Sequence, residues 1–242
     1  MRRPGPAETK LLICVWHPFT LWRPPADAAV HVRRRWPEMK VVHLPNYEHI
    51  NDELPDTDIF VGYSLRPDQF ARAHKLKWIH STAAGVAQLM YPELHASNVV
   101  VTNARGVHAI PIAEHILGTL IALARHFPAA TRYQLERRWA QQEIWDHPLR
   151  PRELAGQVLL IVGFGAIGRE LARRTKPLGM KIWAVTRSGS ADPELAERVL
   201  PATQLEEVLP EADFIVLAAP ETRETRRLIR SEERRVGKEC RL

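Results

Sequence analysis

The 242 residues, 45% hydrophobic and 26% charged, describe a folded globular chain with a sizeable core and exclude a disordered or fibrous one. The net charge of +6 gives a basic surface, but no nucleic-acid recognition motif accompanies it, so no nucleic-acid partner is expected. Two cysteines, Cys14 and Cys240, exclude a disulfide framework and point to a reducing, cytoplasmic setting.

In chain order, Arg2-Arg3 and the apolar run at 11–16 have the outline of a leader. The run is short, however, His17-Pro18 interrupts it and no small-residue cleavage site follows, so secretion is not expected. Apolar or β-branched runs at 11–16, 40–44, 58–63, 76–80 and 99–102 alternate with helix-like segments such as 25–36 and 67–75. Strands alternating with helices predict a parallel sheet covered by helices. Cys14 falls inside the first run and is read there as a small hydrophobe. The loop Ser81-Thr-Ala-Ala-Gly85-Val86 follows a strand, and its small residues leave backbone N–H groups free for a carboxylate. The plainer reading is a glycine turn before a helix. Asn103-Ala-Arg-Gly106 reads as a turn.

Residues 109–125 form a long, largely apolar helix opened near Pro111. Its apolar residues cover most of the circumference, which predicts burial on nearly all sides as a connector between two lobes. It is too short for a bilayer and carries Glu114 and His115, so no membrane partner is expected. Glu114 is expected to be paired and His115 to be structural. The arginine-rich stretch 132–152, with Trp139 and Trp145, reads as a contact arm toward the other lobe or another subunit, or as packing within its own chain.

The apolar run Val158-Leu-Leu-Ile-Val then enters Gly163-Phe-Gly165-Ala166-Ile167-Gly168 and a helix. Glycine triplets alone are weak evidence; the flanking strand and helix make this one a dinucleotide fingerprint. The first glycine permits the turn, the second lets backbone approach a pyrophosphate, and the third lets the helix pack on the strand. At the end of the next strand, 181–186, no carboxylate stands where an NAD site needs one. Thr186, Arg187 and Ser188 offer a guanidinium and two hydroxyls, the donors a 2′-phosphate needs, which favours NADP over NAD. Arginine can also stack on adenine. A short helix at 205–209, a buried strand at 213–218 and the loop Ala219-Pro220-Glu-Thr222-Arg-Glu-Thr225 follow. That loop leaves the sheet edge where ligands bind in open α/β sheets.

Taken in order, the 81–86 loop, Asn103-Ala-Arg-Gly106 leading to Ala113-Glu-His115, Arg125, the glycine fingerprint, and Pro220-Glu-Thr222 with Thr225 resemble the D-isomer-specific 2-hydroxyacid dehydrogenases. The resemblance runs from about residue 11 to 229 and implies an α/β fold of two Rossmann-like lobes with the active site in the cleft between them. They would be a flavodoxin-like substrate lobe, 1–106, and a doubly wound NAD(P)-binding lobe, 107–229, entered by the helix 109–125 and incomplete. It further implies that backbone at Ala84, Gly85 and Val86 holds the substrate carboxylate, and that Pro220 and Thr222 lie beside the cofactor. The implied activity is hydride transfer between nicotinamide and a small D-2-hydroxy or 2-keto acid of the glyoxylate or hydroxypyruvate kind. The implied assembly is a dimer through the coenzyme lobe, with no metal.

The Thr186-Arg187 pair resembles the NADP-using glyoxylate and hydroxypyruvate reductases. Family members also carry, after the Pro-x-Thr loop, an Ala-Arg-Gly arginine that binds substrate and a glutamate–histidine pair for acid–base work. These positions are not among the 242 residues, and Ala104-Arg105-Gly106 lies too early to stand in for the first. Residues 230–242 read as the translation of a common sequencing adaptor, and the chain as written is expected to be inactive. In the usual strand order a further strand would flank 213–218, so that strand is expected to present an unpaired apolar edge. The alternative is a non-catalytic NAD(P)H-binding regulatory module, which the arginine- and tryptophan-bearing arm would suit.

Overall fold

The computed structural model describes residues 9–25, 27–222 and 224–229; the stretch 230–242, Cys240 and Arg2-Arg3 lie outside the described residues. The chain divides into two compact units, Met1–Val107 and His108–Leu242.

The first unit runs β1 Lys10–Cys14, α1 Ala28–Arg35, β2 Lys40–Leu44, α2 Ile50–Glu53, β3 Ile59–Gly62, α3 Pro67–Phe70, β4 Trp78–Ser81, α4 Pro92–His95 and β5 Val100–Asn103. All five strands are parallel, in the order β2-β1-β3-β4-β5. This is the flavodoxin-like order, which reverses between β1 and β3. Period-2 alternation sends Leu12, Phe60 and Ile79 to one core, and Leu11, Ile13 and Val41 to another against Ala29 of α1. Cys14 is fully buried and donates to the Asn46 carbonyl, and burial pushes its thiol up to about 12. Both expected helices are shorter than their sequence outlines. Beyond Phe70 the amides of Ala73 and Leu76 bond only three residues back, so the chain continues as turns.

The second unit runs α5 Ala109–Ala124, α6 Phe127–Leu135, α7 Gln141–Trp145, β6 Val158–Val162, α8 Ala166–Thr175, β7 Lys181–Thr186, β8 Arg198–Pro201, α9 Leu205–Val208 and β9 Phe214–Leu217. Its parallel sheet has the order β8-β7-β6-β9. This is the 3-2-1-4 half of a doubly wound fold, with the order reversing between β6 and β9. The short strand β8 has no apolar run to announce it and is placed by its pairing with β7.

Two expectations are corrected here. The helix at 109–125 is not buried on nearly all sides: Ala113, Leu120 and Ala124 are buried, while Ile110 is 54% and Leu123 52% exposed. Among the described residues one stripe is covered, packing with Leu171 and Ala172 of α8, and composition does not say how many partners a helix finds. Glu114 is paired as expected, with Arg174 of α8 at 3.4 Å. Strand β9 is likewise only half buried. It lies at the sheet edge among the described residues and leaves Ile215 and Leu217 exposed. The arm encloses an open concavity of about 1560 Å³ lined by Tyr133, Arg138, Trp139 and Trp145 among others, with Trp139 almost wholly exposed.

Both sheets are closed at their amino-terminal edge by the same device, an aspartate one residue before the strand across the reversal. Asp58 accepts from the Lys10 amide at 3.0 Å, and Asp213 accepts from the Val158 amide at 2.9 Å. Each carboxylate thereby satisfies a strand-start N–H that the ladder leaves open. In the first unit this latch carries charge. The Lys10 ammonium, nearly buried, bonds the Glu53 carboxylate at 2.7 Å, its carbonyl at 2.8 Å and the Asp56 carboxylate, while Lys77 bonds Asp58 at 2.6 Å.

Burial works against the Lys10 charge, yet its bonds to Asp56 and Glu53 outweigh that and raise its pKa above the ordinary 10.5. The bond from Lys10 lowers the Asp56 pKa. Burial opposes the Asp58 charge, but bonds from the Lys10 amide and Lys77 overcome it, so its pKa too lies below the ordinary 3.8. Depressed carboxylates lend stability above their unfolded pKa and lose it as pH falls through the folded one; a raised lysine loses its contribution as pH rises through its folded value. Melting followed against pH should therefore show a plateau that declines below about pH 4 and above about pH 9, where the Cys14 thiol ionises only in the unfolded chain, with Lys10 adding to the loss above about pH 10.5. Lys10→Met should lessen the alkaline decline above about pH 10.5, leaving the part due to the buried Cys14 thiol, and an unchanged alkaline limb in that variant would contradict the assignment.

Candidate functional site

The glycine turn lies at the carboxyl end of β6, beside the order reversal. Gly163 has φ +96°, in the left-handed region, and a Cβ there would come within 2.4 Å of the Ala219 nitrogen just beyond β9. A Cβ on Gly168 would meet the Gly163 carbonyl oxygen at 2.5 Å and Ile161 Cγ2 at 3.1 Å, so this glycine lets α8 settle onto β6. Gly165 differs from both. It has ordinary extended backbone, caps α8, and a Cβ on it would meet nothing within 4 Å.

The amide of Arg169 is the first to bond back into the helix, to the Gly165 carbonyl at 3.0 Å. The amides of Ala166, Ile167 and Gly168 precede it and have no carbonyl of their own turn to reach. Free N–H groups beside open space at a helix start form a cradle for phosphate, which is the fit a dinucleotide needs.

Two further loops flank this turn on the same sheet edge. At the end of β7 the Thr186 hydroxyl accepts from the Ser190 amide at 3.1 Å and donates to its carbonyl at 3.2 Å. Its proton is thus spent on closing the 186–190 loop. Arg187 and Ser188 project from that loop exposed, and among the described residues Arg187 makes no ion pair. Past β9, the Thr222 amide donates to Thr225 Oγ1 at 2.7 Å, the Thr225 amide donates to Thr222 Oγ1 at 3.2 Å, and the Thr225 hydroxyl donates to the Pro220 carbonyl at 2.6 Å. The Pro220 to Thr225 spacing therefore encodes a self-closed loop. Gly163 packs against Ala218 and Ala219 at its root, a contact that sequence reasoning had no signal for.

In the first unit the 81–86 loop follows β4 at its carboxyl end. Its carbonyls face inward to protein donors: Ala83 to the Ala104 amide at 3.2 Å, Ala84 to Asn103 Nδ2 at 2.6 Å, and Gly85 to Gln88 Nε2 at 3.4 Å. Turning the carbonyls inward leaves the amides of Ala84, Gly85 and Val86 on the other side of the backbone, with no hydrogen-bond partner among the described residues. Ala84 and Gly85 are exposed, and a Cβ on Gly85 would meet nothing within 4 Å. Asn103, which the sequence marks only as the start of a turn, and Gln88, which the sequence gives no reason to single out, orient this loop. His115 is exposed on α5, and its carbonyl accepts from the Thr119 hydroxyl at 2.9 Å. Among the described residues no cluster of His, Cys, Asp and Glu is arranged to hold a metal ion, and no helix is long and apolar enough to cross a membrane.

The chain is similar to known proteins. Residues 117–238 match the NAD binding domain of the D-isomer specific 2-hydroxyacid dehydrogenases, a match that includes the glycine turn and reaches into the stretch 230–242. Glyoxylate reductase of Pyrococcus furiosus is 35% identical over 192 residues, covering 76% of this chain and 56% of the relative. Hydroxypyruvate reductase of Thermotoga maritima is 33% identical over 195 residues, covering 76% and 60%. The chain thus spans little more than half the length of these relatives. Among solved structures, a D-isomer specific 2-hydroxyacid dehydrogenase family protein from Aeromonas salmonicida superposes with a TM-score of 0.71 at 28% identity, over 90% of this chain and 66% of that one. With two parallel α/β units, a fingerprint turn at the reversal of the second, and a match over half its length, the chain belongs to the D-isomer specific 2-hydroxyacid dehydrogenase family.

Proposed function

We propose that this chain is the part of a D-2-hydroxyacid dehydrogenase that binds a nicotinamide dinucleotide at Gly163, Gly165, Ala166, Ile167 and Gly168, and a 2-hydroxy or 2-keto acid by its carboxylate at Ala84, Gly85 and Val86. The observation that carries this reading is the unfilled space beside Gly165 next to the free amides of 166–168. When bound, such a cofactor supplies hydride transfer to or from C2 of the acid. The protein's part is to hold pyrophosphate on the α8 start, to present Arg187 and Ser188 to the adenine ribose, to flank the cofactor with Pro220 and Thr222, and to fix the acid by its carboxylate. Glyoxylate and hydroxypyruvate, the acids named for the relatives, are the first to try.

Arg187 favours NADP, because a guanidinium without an ion pair suits a 2′-phosphate and no carboxylate accepts a ribose hydroxyl there. The arginine, glutamate and histidine that the family resemblance places after the Pro-x-Thr loop are not among residues 1–242, so the reading includes binding without turnover. Calorimetric titration with NADPH and NADH tests it: both should bind, NADPH more tightly. Failure of both to bind would overturn the dinucleotide site, and NADPH oxidation with glyoxylate or hydroxypyruvate would overturn the inactivity.

A second reading, a dinucleotide-binding regulatory module without turnover in any form, is favoured by the exposed Trp139 and Trp145 on the arm. A homodimer formed by the complete protein would use the same exposed surface.

A further inference from the structure

Four large aromatic side chains stand exposed on loops at the carboxyl ends of β1 and β3, the strands flanking the order reversal of the first unit: Trp16, Phe19, Trp22 and Tyr63. Exposed rings gathered at the crevice where open α/β sheets take their ligands ask for a ligand. We propose that these rings form a wall that reads the substituent of the acid, so that the preferred ligand is a 2-keto or 2-hydroxy acid bearing an aryl group. The proposal rests on the reading of residues 84–86 as the carboxylate cradle and names the class of acid that cradle serves.

The rings are held by their own loop. The His17 ring lies 4.3 Å from that of Trp22 and 5.2 Å from that of Phe19, and Phe19 meets Trp22 nearly edge-on at 6.0 Å. The Phe19 amide donates to His17 Nδ1 at 3.1 Å. Arg23 donates to the His17 carbonyl at 2.7 Å and sets its guanidinium 5.6 Å from the Trp16 ring centroid. Such bonds fix the ring edges before a ligand arrives and reduce the ordering that binding would otherwise require.

A side chain also joins this wall to the cradle. Gln88 Nε2 donates to the Tyr63 carbonyl at 2.7 Å and to the Gly85 carbonyl at 3.4 Å, linking the loop after β3 to residues 84–86. Strands β1, β3 and β4 are consecutive neighbours, so the β1 loop lies about 10 Å from the cradle at two strand spacings. An acid held at 84–86 with an aryl group on C3 extends along that direction and stacks on the wall. Glyoxylate, with hydrogen in place of a substituent, leaves the wall in water.

Titration calorimetry of the 242-residue chain with phenylpyruvate, pyruvate and glyoxylate tests this. Phenylpyruvate should bind about tenfold more tightly than pyruvate or glyoxylate. Trp22→Ala, at a side chain 59% exposed and so outside the core, should cut the preference to about threefold or less, with Trp22→Phe retaining most of it. Gly85→Pro, which removes one cradle amide, should weaken all three acids. Equal binding of phenylpyruvate and pyruvate, or a preference that survives Trp22→Ala, overturns the wall. A preference lost in Trp22→Ala with no acid affected by Gly85→Pro supports the wall and overturns the cradle. No binding of any acid overturns both.

Discussion

Gly165→Val should abolish dinucleotide binding while leaving the melting temperature nearly unchanged. The position has ordinary extended backbone, and a Cβ on it meets nothing within 4 Å. The fold therefore has no steric reason to resist a side chain, and a glycine replaced at a tolerant position even gains slightly through the unfolded chain. The space such a side chain fills is the one into which pyrophosphate must come to reach the amides of 166–168. A loss of about 100-fold or more in NADPH affinity is expected, about 3 kcal/mol.

Gly163→Val is the contrasting variant. There φ is +96° and a Cβ would lie within 2.4–2.6 Å of backbone at Ala218 and Ala219. Left-handed strain and overpacking against backbone each cost about 1–3 kcal/mol, so this variant should lose stability and binding together. Scanning calorimetry beside NADPH titration separates the two. A Gly165→Val protein that binds normally would show that the dinucleotide does not use this turn.

Arg187→Glu should reverse the cofactor preference. Hydrogen bonds to charged groups are worth about 1.5–3 kcal/mol, so removing the guanidinium from a 2′-phosphate should weaken NADPH by about 10- to 100-fold. The new carboxylate adds repulsion for that phosphate and offers an acceptor for a ribose hydroxyl, so NADH should bind as well as before or better. The side chain is exposed and without an ion pair among the described residues, which leaves folding unaffected. If wild type binds NADH more tightly than NADPH, Arg187 has another role, such as stacking on adenine.

Legibility from the sequence followed how local the physics is. The strand–glycine turn–helix at 158–175 is legible because its features lie within a few residues: an apolar run, glycines where φ or packing leaves no choice, and an amphipathic helix whose Leu171, Ala172 and Thr175 face inward. The strands of the first unit could be placed for the same reason. Strand β8, Arg198–Pro201, could not, since it alternates weakly and exists by pairing with β7.

The misjudged burial of α5 and of β9 has one cause. Hydrophobicity states that a face prefers to be covered, and only the arrangement of neighbours states whether it is; Ile110, Leu123 and Leu217 are all more than half exposed. In the candidate site the sequence supplied residue types, and the fold redistributed their bonds. Thr186, read as a donor toward a phosphate, gives its proton to Ser190, while Asn103, read only as the start of a turn, and Gln88, unremarked in sequence, turn the carbonyls of 84–85 inward.

By itself, then, the sequence determined the α/β class, the fingerprint turn and the absence of a carboxylate at the end of β7, all matters of residue type at short spacing. Tertiary structure decided the strand orders 2-1-3-4-5 and 3-2-1-4, which bring residues 163 and 219 into contact and set the 81–86 loop beside Tyr63. It also decided which amides are left free to bind. Pairing between strands far apart in sequence depends on many weak contacts summed over the whole sheet, and no short stretch of sequence contains that sum.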